Sequence, residues 1–170
     1  ILAARPSVGK SSFSQTLGMA QARAGRKVLF LSQEMAAEEL ADRGVSAAGR
    51  INFGMLMTGK LQQEDWSRAA EVLSAEELKN FFVDDQPALR LLDVRAKAKQ
   101  IPGLSVLILD YLQLCSGDGD NRNAEIEQIS RGLKALAKEL NIAIIALSQL
   151  NRQVEQRTSK RPLLSDLRDS

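Results

Sequence analysis

Histidine is missing from all 170 residues, and a whole group of mechanisms goes with it. No Ser-His-Asp or Cys-His nucleophile pair, no HExxH zinc site and no imidazole base can be built. Cysteine is represented by Cys115 alone, which excludes an internal disulfide. No apolar run reaches the roughly 20 positions that span a bilayer, and the first residues lack the basic region and apolar stretch of a signal peptide. The expectation is a cytoplasmic chain with no membrane partner. An excess of one charge sign is lacking too: 23 basic and 21 acidic residues leave a net +2, too little to declare a nucleic-acid binder. Chemistry here must use carboxylates, lysine, arginine, backbone amides or a metal held by oxygen.

What is present suits one ordinary folded domain. Hydrophobic residues make up 44% of the chain, charged residues 26% and aromatics 4%, which supplies a core and rules out collagen-like, mucin-like and disordered readings. The small basic excess is localised. From Asn151 to Ser170, five basic residues (Arg152, Arg157, Lys160, Arg161, Arg168) face three acidic ones (Glu155, Asp166, Asp169), leaving 18 of the 23 and 18 of the 21 elsewhere.

Hydrophobic periodicity divides the chain into short strands and helices. Strands are predicted at Ile1–Ala3, Val28–Leu31, Phe81–Val83, Val106–Leu109 and Ile142–Leu147. Helices are predicted at Lys10–Ala24, closed by Gly25, and at Glu38–Ser46, Gln63–Leu78, Leu91–Gln100 and Ala124–Leu140, the last with Ile126, Ile129, Leu133, Leu136 and Leu140 at helical spacing. The Gly49–Gly59 connection has no predicted path, Ser116–Asn123 reads as a mobile polar loop, and the last 20 residues show no period. Continuous apolar strands alternating with helices give the α/β class, a mostly parallel sheet covered on both faces. No internal repeat or second domain is visible, so residues 1–170 read as one domain.

Ala4 to Ser11 fits the P-loop pattern GxxxxGK[ST] at every fixed position except the first, where Ala4 replaces glycine. Alanine is acceptable there provided its φ stays negative. The segment lies between a strand and a helix, where successive backbone N–H groups and the helix N-terminus make an anion site. Arg5, Pro6, Ser7, Val8, Gly9, Lys10, Ser11 and Ser12 are therefore the expected ATP cradle. Lys10 would reach the β- and γ-phosphates and Ser11 would place its hydroxyl on Mg²⁺.

In a parallel sheet, ligand-binding groups gather beyond the strand C-termini. Taken alone, Asp110 after Val106–Leu109 is a cap or turn former; beside a P-loop it becomes the Walker B carboxylate for Mg²⁺. Glu34, after the second strand, is the candidate base for the attacking water, against a plain reading as a solvated residue near a helix start. Gln149, after the fifth strand, either senses the γ-phosphate or is an exposed loop residue. Asp84 and Asp85 suit helix capping as well as catalysis. Tyr111, Cys115 and Trp66 read as packing residues.

At this point the residues resemble a known family, the hexameric replicative DNA helicases of the DnaB type, in their RecA-like motor. The similarity runs through Ala3–Ser11, Ser32-Gln33-Glu34-Met35, Thr58-Gly59-Lys60-Leu61 with Glu64-Asp65-Trp66, and Asp110-Tyr111-Leu112-Gln113-Leu114. It continues through Ile129–Leu140, Ala146–Arg152, Glu155-Gln156-Arg157 and Lys160-Arg161-Pro162 to Ser165–Arg168. The resemblance implies a ring-shaped ATPase moving on single-stranded DNA, with ATP and Mg²⁺ between neighbouring subunits and a primase and a loader as partners. It implies Lys10 and Ser11 as P-loop residues, Glu34 as the catalytic glutamate, Asp110 as the Walker B aspartate and Gln149 as the γ-phosphate sensor. DNA-facing positions would be the loop after Leu114 and the stretch holding Arg152, Arg157, Lys160, Arg161, Arg168 and Asp169.

Departures are Gln33, where many relatives carry an apolar residue, and the missing amino-terminal domain and arginine-finger segment, so the expectation is a truncated motor of weak activity. Two other readings share the P-loop. One is an ATP-switched scaffold or loader without unwinding, and the other a small-acceptor kinase, for which no acceptor pocket is visible.

Overall fold

The computed structural model describes residues 1–112, 122–159 and 161–167. Strands β1 (Leu2–Ala4), β2 (Lys27–Ser32), β3 (Phe81–Asp84), β4 (Leu104–Asp110) and β5 (Ala143–Gln149) form one sheet in the order β1-β5-β4-β2-β3. Every pairing is parallel, with Leu29 beside Leu107 and Phe82, and Leu107 beside Ile144. The helices are α1 (Lys10–Arg23), α2 (Ala37–Gly49), α3 (Phe53–Met57), α4 (Gln63–Ser74), α5 (Leu91–Lys99), α6 (Arg122–Leu140) and α7 (Gln153–Gln156), with 3₁₀ turns at Glu76–Asn80 and Leu164–Leu167.

Parallel neighbours need crossovers, and right-handed crossovers decide which face each helix takes. Chain running out from β1 through β2 to β3 lays α1 and α2 on one face; chain running back through β4 to β5 lays α5 and α6 on the other. Alternation along the strands matches. Val28, Phe30, Val106, Ile108 and Leu147 pack with Ala22 and Leu40 on the first face. Leu29, Leu31, Leu107, Leu109 and Ala146 pack with Val94, Ala98, Ile129, Leu133 and Leu136 on the second. Phe30, Leu31, Leu107, Ile108 and Leu109 are fully buried, each worth about 1.5–3 kcal/mol relative to exposure. No helix among the described residues is long and apolar enough to cross a membrane.

The predicted elements are present, with local differences. The first strand lies one residue later than expected because Ala4 pairs with Gln149. The helix expected over Gln63–Leu78 stops at Ser74, where Ala75 turns extended (ψ 115°) and a 3₁₀ turn carries the chain to Phe81, the partner of Val28. A helix continued to Leu78 would leave too little chain to swing into that edge strand. Within the 49–59 connection lies α3, started by Asn52, whose Oδ1 accepts from the Met55 amide at 3.1 Å. The final stretch, read as without period, holds α7 and the second 3₁₀ turn. Residues 113–121, most of the expected polar loop, lie outside the described residues, as does Cys115.

Gly18, midway along α1, faces the sheet so closely that a Cβ would stand 2.7 Å from Phe81 Cε2 and 2.9 Å from Ile108 Cδ1. Helix propensity favours alanine there by up to about 1 kcal/mol, whereas overpacking costs about 1–3 kcal/mol. The clash dominates. Gly18→Ala is expected to lower the urea midpoint at unchanged slope in equilibrium unfolding; a higher midpoint would contradict this packing.

Candidate functional site

Parallel strands deliver their C-terminal ends to a single edge, and the polar residues predicted there meet. After β1 the chain loops over Arg5–Gly9, with Ser7 and Gly9 at positive φ of 63° and 95°. A Cβ on Gly9 would meet nothing within 4 Å, so glycine is needed there for its left-handed backbone, not for space. Ala4 is not among the residues of positive φ, which meets the condition set by its replacement of glycine. Gly9 opens α1 without a side-chain cap, and the first turn holds no acidic residue. The leading amides of α1 are left for an anion.

An open cleft of about 410 Å³ forms over this loop. Of the predicted residues, Arg5, Pro6, Ser7, Gly9, Lys10, Ser11, Ser12, Glu34 and Gln149 line it. Val8 does not, standing 70% exposed, and Asp110 lies beneath with no exposed surface. Ser32 shapes the approach of Glu34, because its hydroxyl donates to the Met35 carbonyl (2.6 Å) and accepts from the Met35 amide (3.2 Å), leaving Glu34 exposed at the bend.

Burial controls the electrostatics. The Asp110 carboxyl is pushed up by desolvation; the Ser11 hydroxyl and Lys10 pull it back, and Glu34 adds to the rise. Neither Asp110 oxygen completes a hydrogen bond with a described residue. Lys10 is lowered from its ordinary value by burial, opposed by Asp110 and Glu34. Its ammonium stands 4.3 Å above the Tyr111 ring centroid, so Tyr111 packs as expected, as a platform for the lysine.

Some predicted residues are engaged elsewhere. The Arg5 guanidinium donates to the Leu150 carbonyl (2.7 Å) and to Glu155 (2.6 Å), tying the loop to the segment after β5. Asp85 accepts from the Ala37 amide at the start of α2 (2.9 Å), the capping role, and Asp84 pairs with Lys97. Trp66 is a surface residue, 54% exposed. In the basic stretch, Arg152 and Arg161 are exposed, whereas Arg157 pairs with the buried Asp166, which also accepts from the Leu163 amide (2.7 Å). Lys160, Arg168 and Asp169 lie outside the described residues, as does most of the loop after Leu114.

Three residues gain importance that the sequence did not signal. Met35 and Arg43 line the cleft; Arg43 reaches it from the second turn of α2, far from any strand end. Gln33, noted only as a departure, ties three loops: its amide donates to the Asp110 carbonyl (2.8 Å), its Nε2 to the Tyr111 carbonyl (3.4 Å), and its Oε1 accepts from Leu89 (3.0 Å).

A carboxyl whose folded pKa is raised destabilises the fold increasingly as pH climbs from the ordinary carboxylate value through the raised one. Asp110→Asn is therefore expected to stabilise the ligand-free chain near neutral pH by about 1–3 kcal/mol, several degrees of Tm at about 2–4 °C per kcal/mol. The gain should shrink at acid pH, where the wild-type carboxyl is protonated. Thermal scans at both pH values check this; equal Tm at neutral pH would contradict the burial cost.

Comparisons with known proteins agree with this geometry. The family model described as DnaB-like helicase C terminal domain matches residues 1–170. The chain is 45% identical over its whole length to a replicative DNA helicase DnaB of Geobacillus stearothermophilus and 44% identical to the replicative DNA helicase DnaC of Bacillus subtilis, covering 39% of each. It thus spans about two-fifths of the length of the curated relatives it matches. Among solved structures, a DnaB-like replicative helicase described with its interactions with primase superposes with a TM-score of 0.91 at 37% identity, over 99% of this chain and 42% of that one. A second solved structure, described as an ATPase domain, does so with 0.92 at 37% identity, over 99% and 63%. With a sheet, loop and strand-end residues of this RecA-like kind, the chain belongs to the DnaB-like helicase C-terminal domain family.

Proposed function

We propose that this chain is the ATP-driven motor of a replicative DNA helicase, one RecA-like domain over residues 1–170 that hydrolyses ATP to move on single-stranded DNA and open duplex. The observation that carries the reading is the gathering of Lys10, Glu34 and Gln149 around one cleft above the buried, unsatisfied Asp110 carboxylate. Backbone amides of the loop and of the first turn of α1, through Ser12, hold the phosphates, with Arg5, Pro6, Ser7, Val8 and Gly9 setting the loop's path. Lys10 meets charge that develops on the β- and γ-phosphate oxygens as the bond breaks, where preorganised donors act most strongly. Glu34 orients the attacking water and accepts its proton, and Gln149 registers loss of the γ-phosphate.

The donor set also fits Mg²⁺. Asp110 brings two unsatisfied oxygens with the Ser11 hydroxyl beside them, and no group of three His, Cys, Asp or Glu among the described residues could hold a metal alone. Such a sparse oxygen site suits an ion that keeps most of its waters. When bound, Mg²⁺ supplies neutralisation of phosphate charge.

DNA phosphates would be met by the exposed Arg152 and Arg161 and by Lys160 and Arg168 in the same stretch, with Asp169 offering its backbone amide rather than its carboxylate, a sequence-indifferent hold of the kind motors use. Arg157 enters through its pair with Asp166, which fixes the segment. A homo-hexamer, primase and loader partners and a cytoplasmic site of action complete the proposal. The relatives named as replicative DNA helicases support the motor reading, and the solved helicase described with primase supports the primase partner.

The test is steady-state ATP hydrolysis by the full-length parent protein, with and without single-stranded DNA. DNA is expected to stimulate turnover. Lys10→Ala should lower it by about 10²–10³ and Glu34→Ala by about 10²–10⁴. Turnover indifferent to DNA would overturn the motor reading, and retained turnover in either variant would overturn that residue's role.

A further inference from the structure

Ser32 stands opposite Asp110 where β2 and β4 end, and the chain beyond each strand carries a group of the site: Glu34 after one, Tyr111 with the Lys10 ammonium over its ring after the other. Gln33 lies between them. Its backbone amide donates to the Asp110 carbonyl (2.8 Å), a bond that any residue except proline could make in continuing the parallel pairing. The side chain adds what other residues would not. Its Oε1 accepts from the Leu89 amide (3.0 Å), and its Nε2 donates to the Tyr111 carbonyl (3.4 Å).

Those two partners restrict the side chain that can serve. One is a backbone donor and the other a backbone acceptor, so the group between them must offer an acceptor and a donor side by side. A carboxamide does so; leucine and methionine offer neither, and asparagine is shorter by a methylene. The far end of this brace is firm. Leu89 is fully buried in the core shared by β2, β4, α5 and α6. Ala88 before it holds φ at 52°, a left-handed turn that alanine keeps only where its surroundings impose it. The near end carries the chemistry. Glu34 follows Gln33 directly and is exposed at the bend that Ser32 closes through its two bonds to Met35. Ser32 therefore sets the shape of the bend, and Gln33 sets its place relative to β4.

We propose that Gln33 is a positioning residue for ATP hydrolysis: its carboxamide braces the Glu34 bend against Tyr111 and the buried Leu89 turn, holding the base in register with Asp110 and Lys10. The inference rests on the reading of Glu34 as the base. A displacement of about 1 Å at a reacting group can cost about 10²-fold in rate, so a brace one residue away acts on turnover. Gln33 does not line the phosphate cleft, so its loss spares nucleotide binding.

The experiment is a double-mutant cycle on the full-length parent protein with Mg²⁺, crossing Gln33→Met and Gln33→Leu with Glu34→Ala. ATP turnover is read per nucleotide site, with the sites counted by calorimetric titration with ADP. With Glu34 present, both Gln33 variants are expected to lower kcat about tenfold and to leave KM for ATP and Kd for ADP within about twofold. With Glu34→Ala, the same substitutions should change turnover by less than about twofold, since no base is left to misplace. Equal losses in both backgrounds would overturn the positioning of Glu34, as would unchanged kcat with Glu34 present. Loss of ADP sites in both variants, complete or with full turnover at the sites that remain, would reduce Gln33 to a support of the fold and overturn the inference. Retained turnover in Glu34→Ala alone would overturn the base reading and this inference together.

Discussion

The five strands among the described residues all point the same way, and most of the fold follows from that single constraint. Parallel neighbours cannot be joined by tight turns, so each pair demands a helix-bearing crossover, and the crossovers bury both faces of the sheet. Two buried faces explain why Val28–Leu31 and Val106–Leu109 are apolar without interruption. The same alignment brings the ends of β1, β2, β4 and β5 to one edge, where backbone leaves the sheet and polar side chains become affordable. Core and site are thus two ends of the same strands.

At that edge stability is given up for chemistry. Asp110 continues a run of buried leucines and isoleucine, yet its carboxylate has lost water without gaining a hydrogen-bond partner, and Lys10 above it is itself partly desolvated. Each charge moderates the other's cost without cancelling it. An arrangement evolved only for stability would place an asparagine or an apolar residue there. The exposed Glu34 differs, because a group that must meet water and a departing proton gains nothing from burial.

The class, the strand and helix sequence and the phosphate loop were legible because each rests on local rules: apolar runs, helical spacing, and a glycine followed by lysine and serine. Residues at strand ends could be nominated because a parallel sheet gathers them, so Glu34, Asp110 and Gln149 needed no knowledge of side-chain positions. What escaped was set by distant partners. The stop at Ser74 is imposed by the pairing of Phe81 with Val28, which no local signal records. Arg43 belongs to an ordinary helical surface until α2 is laid beside α1. Arg5 and Arg157 count as free positive charges in a sequence, whereas the fold gives them Glu155 and Asp166. Gln33 read as a neutral exception because its three backbone partners lie 56 to 78 residues away.

Arg5 has a mechanical implication. Its guanidinium bridges the loop after β1 to the chain after β5, one bond reaching the Leu150 carbonyl in a partly buried setting and the other the exposed Glu155 carboxylate. Exposed ion pairs are weak and screened by salt, while a sheltered bond to a carbonyl is not. The linkage therefore has one stiff member and one compliant member: close to β5 the loop and the following segment travel as a unit, and a turn further on, at α7, there is slack. Ionic strength sets how much slack, so the reach of any displacement that starts in the loop is a property of the solution as well as of the fold.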